Sequence, residues 1–382
     1  MPDQPFILKT LPVYFNKVLK YHGLVNELQE EKFKQFSVTG FEQWNMLQKI
    51  NNCFSNNARG DIIDRTEFSK CPVNYHKTRT WSVPTSNILS LDDCFRLRVT
   101  ELTSTNQKIN LFWSGGIDST SVLIGFLKHC NNINQLRIIY STASMKENPG
   151  FFLELVSIPE LEMLEFGGSV YLTQELDGTF VSADAADELT ASLDESFFKD
   201  ITYEGLHKPW EDFFYNRTKN TDLIDFCKSW FEVSGRPIET ILQARWWFYT
   251  TCKIQKYTAD RNDILNDNQP LVVGFYDTPE FEAYTYFRID SLMVNKNYKS
   301  YKQFLKDYIY DFNKDISYLR DKSKQNSVQL GLYADKRLVL NFNKYIMLLS
   351  DGTRIRTPSL PLLSEKEYRD TYGDSLNYLF NI

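Results

Sequence analysis

Apolar side chains return every three or four residues through the first 80 positions: Phe15, Val18 and Leu19, then Leu24, Val25 and Leu28, then Phe41, Trp44, Met46 and Leu47. That spacing predicts helices, punctuated at Gly23 and at Ser37-Val38-Thr39-Gly40. Residues 51–61 are polar and rich in Asn and read as a loop; residues 82–87, Ser-Val-Pro-Thr-Ser-Asn, form a second breaker cluster. A mainly helical N-terminal region over 1–84 is therefore expected to give way there to a different domain.

Beyond residue 88 the period changes. Ser90 followed by Asp92 and Asp93 predicts a helix start, because acids suit the positive end of the helix dipole. A short strand is expected over 108–113, then a Gly-Gly turn, then a helix over 119–129 with Val122, Leu123, Phe126 and Leu127 on one side. Residues 136–140 form another short apolar run, and 161–166 and 178–181 are weaker ones. Short strands alternating with helices predict an α/β fold with a parallel sheet. Residues 222–256 predict a pair of helices whose Trp230, Phe231, Trp246, Trp247 and Phe248 are expected in the core, and 301–312 predict another helix. Ser350-Asp351-Gly352 between the β-like runs 345–349 and 353–357 signals a hairpin. There is no internal repeat and no low-complexity tract.

Composition narrows the class. In 382 residues, 42% hydrophobic and 24% charged positions are an ordinary globular balance, which excludes wholesale disorder. Lys plus Arg is 43 against 49 Asp plus Glu, a net charge of −6, so there is no basic footprint and nucleic acid is not an expected partner. The six cysteines include no C-x-x-C pair, which predicts buried free thiols of a reducing compartment. The N-terminus lacks the basic-then-apolar pattern of a signal peptide. No apolar run approaches the ~18 residues of a membrane span. A cytoplasmic protein with no membrane partner is the expectation; nothing in the pattern specifies an oligomeric state.

The segment Leu111-Phe112-Trp113-Ser114-Gly115-Gly116-Ile117-Asp118-Ser119-Thr120 carries the chemistry. A strand delivers Ser-Gly-Gly to a helix start. The two glycines let backbone N–H groups approach an anion, and the helix terminus adds unpaired N–H donors and a positive dipole end. Ser114, Ser119 and Thr120 add hydroxyls. Asp118 would repel phosphate unless a cation stood between them, so the set suits pyrophosphate with Mg²⁺. It is neither a Walker A loop nor a Gly-x-Gly-x-x-Gly turn. The sequence SGGIDST resembles the Ser-Gly-Gly-x-Asp-Ser signature of the N-type ATP pyrophosphatases, which include asparagine, GMP and NAD synthetases. The resemblance implies a Rossmann-like sheet of the adenine nucleotide alpha-hydrolase type, with ATP cleaved between its α and β phosphates.

Residues 180–189, Phe-Val-Ser-Ala-Asp-Ala-Ala-Asp-Glu-Leu, also read as strand, turn and helix, with three acids at the helix start. Asp187 there would give Mg²⁺ its second carboxylate. The run is similar to the Ser-Gly-Glu-Gly-x-Asp-Glu-Leu signature of asparagine synthetases and β-lactam synthetases. By that resemblance Ser182 and Ala183 line the nucleotide, with Trp113 flanking the adenosine alongside Ser182; Asp187 binds Mg²⁺ and Asp184 takes the acidic, base-like position. Ala183 and Ala185 replace glycines of the signature, and Ala resists φ > 0, which predicts an altered loop or substrate pocket. Asp260-Arg261, Phe275-Tyr276-Asp277 and Lys302-Gln303-Phe304-Leu305-Lys306 resemble further stretches of the same family. Lys302 would neutralise the departing pyrophosphate.

The resemblance covers about residues 88–312, with the domain drawn over 85–320 and a C-terminal hairpin extension over 321–382. No Cys follows Met1, so the glutaminase nucleophile of glutamine-using relatives is missing. The implied activity is an ATP- and Mg²⁺-dependent ligase joining a carboxylate to ammonia or another amine, with a separate protein as one possible ammonia donor. Two alternatives stay open: a nucleotide-binding protein without catalysis, and adenylation of a different group such as a nucleobase carbonyl.

Overall fold

Five short segments, β1 (Ile109–Phe112), β2 (Leu136–Tyr140), β3 (Glu162–Glu165), β4 (Thr179–Ser182) and β5 (Val272–Gly274), pair only in parallel, in the order β3-β2-β1-β4-β5. The computed structural model describes residues 38–54, 62, 64–69, 79–85, 89–165, 176–191, 201–255, 272–292, 302–322, 345–348 and 354–357. The fold is the Rossmann-like α/β sheet that the alternating pattern predicts. Ile109 and Leu111 are fully buried on one face, while Ile139, Phe180 and Val272 form a smaller cluster with Phe112. Burial on both faces is why these strands read as short continuous apolar runs. Asn110, buried in β1, is satisfied: its amide donates to the Asp177 carbonyl at 2.7 Å and its oxygen accepts from Arg137 at 2.9 Å.

Along the chain the helices are α1 (Val38–Phe54), α2 (Leu91–Thr103), α3 (Ile117–His129), α4 (Thr142–Glu147), α5 (Pro149–Val156), α6 (Ala186–Leu189) and α7 (Tyr203–Leu206). They continue with α8 (Trp210–Thr218), α9 (Thr221–Glu232), α10 (Ile241–Cys252), α11 (Pro279–Tyr286), α12 (Ile289–Leu292), α13 (Gln303–Asn313) and α14 (Ile316–Asp321). The expected helix start at Ser90 is a capping box: Ser90 Oγ accepts from the Asp93 N–H at 3.1 Å, and the Asp93 carboxylate reaches back to the Ser90 N–H at 3.2 Å.

Helix α3 is buried along most of its length between α2 and α13. A Cβ at Gly125 would meet Phe95 of α2 at 2.5 Å, so the small residue sets the α2–α3 distance. Phe95 in turn stacks on Tyr308 of α13, centroids 4.3 Å apart. This packing fixes the start of α13, where Lys302 sits, against the turn between β1 and α3.

The helical half has its own core. Every residue of α10 is buried, the signature of a helix surrounded by protein on all sides. Trp230, Trp246, Trp247 and Phe248 are fully buried there, as the sequence predicts. Leu47, Ile50, Cys53 and Phe54 of α1 join this same core. Two local expectations are corrected. Val38-Thr39-Gly40 does not break the chain but begins α1, and residues 51–54 are its last turn rather than loop; Cys53 and Phe54 turn inward there, and their burial outweighs the polar neighbours. Arg65 and Arg79 make ion pairs with Asp277, just after β5, and with Glu282 of α11.

The expected hairpin strands pair antiparallel as β6 (Tyr345–Leu348) and β7 (Arg354–Thr357), Tyr345 opposite Thr357. Cys53, Cys94, Cys227 and Cys252 are buried free thiols and Cys130 is partly exposed; burial pushes the thiols of Cys53 and Cys94 up to about 11 and about 12. The helices expected over 15–28, Cys71 and Asp260-Arg261 lie outside the described residues. Among the described residues no helix is long and apolar enough to cross a membrane.

Candidate functional site

The strand order reverses at β1, whose neighbours are β2 on one side and β4 on the other. In open α/β sheets the crevice outside the carboxyl ends of the strands at such a switch point is where ligands bind. Register places Leu111 beside Val181, so the segments leaving β1 and β4 emerge side by side. These are the two turns that carry Ser114–Thr120 and Ser182–Asp187.

The turn after β1 is held by its own serines. The Ser114 N–H donates to Ser119 Oγ at 3.0 Å, the two hydroxyls are 2.9 Å apart, and the Gly116 N–H reaches Ser114 Oγ at 3.3 Å. Gly115 is required: its φ is +78°, and a Cβ would come within 2.5 Å of the Ser144 carbonyl oxygen. Gly116 starts α3 without a side-chain cap. The first intrahelical bond runs from the Thr120 N–H to Gly116 O at 3.0 Å. Two residues of the motif face inward instead. Thr120 is fully buried and its hydroxyl accepts from the Trp113 indole N–H at 3.1 Å. The Trp113 ring packs on Phe151 and Phe152 in the core. What Trp113 and Thr120 can offer an adenine nucleotide is therefore backbone, and the flanking role expected for the Trp113 ring is not supported by its position.

After β4, Ser182 Oγ donates to Asp184 Oδ2 at 2.6 Å and accepts from the Asp184 N–H at 3.1 Å, a closed turn that fixes the Asp184 carboxylate. Ala185 adopts φ 79°, the conformation expected of the glycine it replaces, while Ala183 stays out of the left-handed region. The substitution thus leaves the turn in place and stores strain in it, of order 1 kcal/mol.

Lys302 joins the two turns. Its side chain, 3% exposed, makes ion pairs with both Asp118 and Asp187, whose side chains are 27% and 22% exposed. Lys302 lies just before α13 at φ 54°, a strained conformation for a long side chain. Burial alone would lower its pKa; the two carboxylates outweigh that and hold the ammonium above the ordinary lysine range. Tyr276, from the stretch after β5, supports the same point: its hydroxyl donates to the Asp118 carbonyl at 3.2 Å and lies 2.7 Å from Ser121 Oγ. Burial, then the Asp118 charge, push the Tyr276 phenol up. The three charged residues singled out in the sequence, Asp118, Asp187 and Lys302, are therefore one cluster at the switch point.

Sequence reasoning missed a second cluster behind it. Lys322 donates to Glu147 Oε1 at 2.8 Å, with side chains only 7% and 11% exposed. Glu147 Oε1 lies 3.4 Å from where a Cβ on Gly116 would be, at the edge of the Ser-Gly-Gly turn. Lys306 is buried nearby, its ammonium held below the usual range by burial and then by the Lys322 charge. Glu147 had one legible signal: it follows β2, whose carboxyl end borders the crevice.

Among the described residues no group of three His, Cys, Asp or Glu side chains could hold a metal ion. Asp118 and Asp187, brought together on Lys302, are a donor set that would fit Mg²⁺ bound jointly with substrate phosphates, since that ion ordinarily takes one or two protein carboxylates and completes its shell with phosphate and water. No known family model matches the chain and no curated protein does either.

Proposed function

We propose that the chain is an ATP-dependent ligase that adenylates a carboxylate and passes the acyl group to ammonia or another amine. The carrying observation is the pair of ion contacts from Lys302 to Asp118 and Asp187 beside the uncapped start of α3. Two carboxylates and a buried ammonium at that place are the charges that a Mg²⁺-polyphosphate calls for, and this supports the reading.

In the first step a substrate carboxylate oxygen bonds to the α phosphorus of ATP. The bond from that phosphorus to the bridging oxygen breaks, and pyrophosphate leaves with the electron pair. Backbone N–H groups at Gly116 and the first turn of α3, with the Ser114 and Ser119 hydroxyls, receive phosphate oxygens. Mg²⁺ held by Asp118 and Asp187 would supply charge neutralisation along the β and γ phosphates. With the metal held by those carboxylates, Lys302 would be the ammonium that neutralises the leaving group, and Lys322 would offer a second one. In the second step the amine nitrogen bonds to the acyl carbon, AMP leaves, and the amine proton passes to a base. Asp184, oriented by Ser182, is the carboxylate available at the neighbouring turn.

Isotope exchange between pyrophosphate and ATP tests this without knowledge of the amine. With Mg²⁺ and a panel of carboxylic acids, exchange is expected with one acid and not in its absence. No exchange across amino acids, other carboxylates and nucleobase carbonyls would overturn the proposed reaction.

A further inference from the structure

Residues 275–277, directly after β5, touch both motif turns. The Phe275 N–H donates to the Ser182 carbonyl at 2.8 Å, which carries the β4–β5 pairing into the second turn. The Tyr276 hydroxyl donates to the Asp118 carbonyl at 3.2 Å and lies 2.7 Å from Ser121 Oγ, at the start of α3. The placement of this stretch therefore bears on how the Asp118 turn sits against the Ser182–Asp187 turn.

Asp277, the next residue, belongs to a buried set of four charges. The Asp277 and Glu282 side chains are 6% and 1% exposed. Arg79 Nη1 donates to Glu282 Oε2 at 2.7 Å and its Nη2 to Asp277 Oδ1 at 3.1 Å. Arg65, fully buried, lies with Nη2 2.5 Å from Glu282 Oε1 and 2.6 Å from the Thr250 carbonyl oxygen. Its Nη1 is 3.8 Å from Asp277, so Arg79 makes the closer contact to that carboxylate. Both arginines are anchored in turn: Gln255 Nε2 donates to the Arg79 carbonyl at 2.9 Å, and the Arg65 N–H donates to the Thr251 carbonyl at 3.0 Å. Burying four charges adds little stability over apolar packing of equal volume. What a guanidinium fork does supply is direction, since it meets carboxylates in one plane. Arg65 and Arg79 precede the residues 88–312 that carry the motifs, so no motif gives them a role.

Resting on the ligase reading, we propose that Arg79 is a positioning residue for the Mg²⁺-polyphosphate site: it fixes Asp277, and thereby Tyr276, whose hydroxyl holds the Asp118 end of the carboxylate pair. Without the fork Asp277 loses its nearest cation and Tyr276 its fixed direction. The Asp118 carboxylate then meets the metal in a poorer geometry, a loss that acts on the metal rather than on the phosphates.

The test is the Mg²⁺ concentration at which inorganic pyrophosphate binding is half-maximal, measured on folded protein well below each melting temperature. Tyr276→Phe is expected to raise that midpoint about tenfold and Arg79→Gln about three- to tenfold. Arg79→Lys keeps the charge and loses the fork, so it should fall between wild type and Arg79→Gln. Because the two residues act along one chain, the double variant Arg79→Gln/Tyr276→Phe should be no worse than the worse single one. Should Arg79→Gln not fold, Arg79→Lys alone and with Tyr276→Phe carries the same comparison. A merely structural role would lower the melting temperature and leave the Mg²⁺ midpoint in place, as Ser90→Ala is expected to do. An unmoved midpoint in the Arg79 variants, or effects of Arg79 and Tyr276 that multiply in the double variant, would overturn this inference and leave the ligase reading standing. Failure of the wild-type chain to bind pyrophosphate at any Mg²⁺ concentration would overturn both.

Discussion

Two kinds of helix start occur in the α/β half of this molecule. Helices α2, α4 and α11 begin at Ser90, Ser141 and Thr278, each with a side-chain oxygen accepting from the first turn. Helices α3, α6 and α13 begin at Gly116, Ala185 and Lys302 with no side-chain cap. Those three starts also carry or adjoin the left-handed residues Gly115, Ala185 and Lys302, and they bring Asp118, Asp187 and Lys302 together. Pro209 likewise starts α8 uncapped, but in the helical half away from this cluster. The contrast shows where the fold gives up local stability: a cap is worth ~1 kcal/mol and a left-handed non-glycine residue costs a comparable amount. The cap is forgone and the left-handed cost accepted at the edge of the sheet where Asp118, Asp187 and Lys302 meet.

Substitutions can break that contrast. The largest effect is expected for Asp118→Ala, which removes one of the two carboxylates: pyrophosphate–ATP exchange should fall by at least ~10³-fold. Full exchange in that variant would sink the assignment of the cluster. Lys302→Met should lower exchange ~10²- to 10³-fold. It should also cost about 2–3 kcal/mol in denaturant unfolding, less than a fully buried pair because both carboxylates keep some water contact. The pKa of Lys302 is raised on folding, so its contribution is whole below the unfolded lysine value near 10.4 and fades only as pH climbs through the raised one. The stability gap between wild type and Lys302→Met should therefore be flat from about pH 6 to 9. A gap that shrinks across that range would contradict the ion-pair account.

Smaller changes sharpen the comparison. Ser90→Ala should cost ~1 kcal/mol of stability while leaving exchange untouched, because that cap serves the fold alone. Ala185→Gly should do the reverse of an ordinary glycine substitution and stabilise by about 0.5–1 kcal/mol, as the strained φ is relieved. Loss of stability in Ala185→Gly would mean that the methyl packing at this buried position matters more than the backbone.

What could be read from the sequence was local or carried by a motif. Residues 136–140 matched β2 at both ends, and the Ser90 start, the turn after β1 and the 345–357 hairpin follow from short-range rules of capping, glycine and turn chemistry. Asp118, Asp187 and Lys302 were legible because the Mg²⁺-polyphosphate that the motifs suggest would call for all three charges. Glu147 and Lys322 were not, since an acid and a base at ordinary helix ends acquire meaning only when α4 packs against the Gly115 turn and Lys322 reaches Glu147. Trp113 misled for the converse reason: its neighbours in sequence line the crevice, but the ring leaves the end of β1 toward the core. Gly40 and the Asn-rich run misled because burial of Leu47, Ile50 and Phe54 extends α1 through residues of low helix propensity.

The most direct test of the central claim is a crystal structure of the chain with Mg²⁺ and a non-hydrolysable ATP analogue. The account predicts the β and γ phosphates against Gly115–Ser119, the metal between Asp118 and Asp187, and the Lys302 ammonium moved from the carboxylates to a phosphate oxygen. A nucleotide bound elsewhere, with Lys302 still joining Asp118 to Asp187, would contradict it.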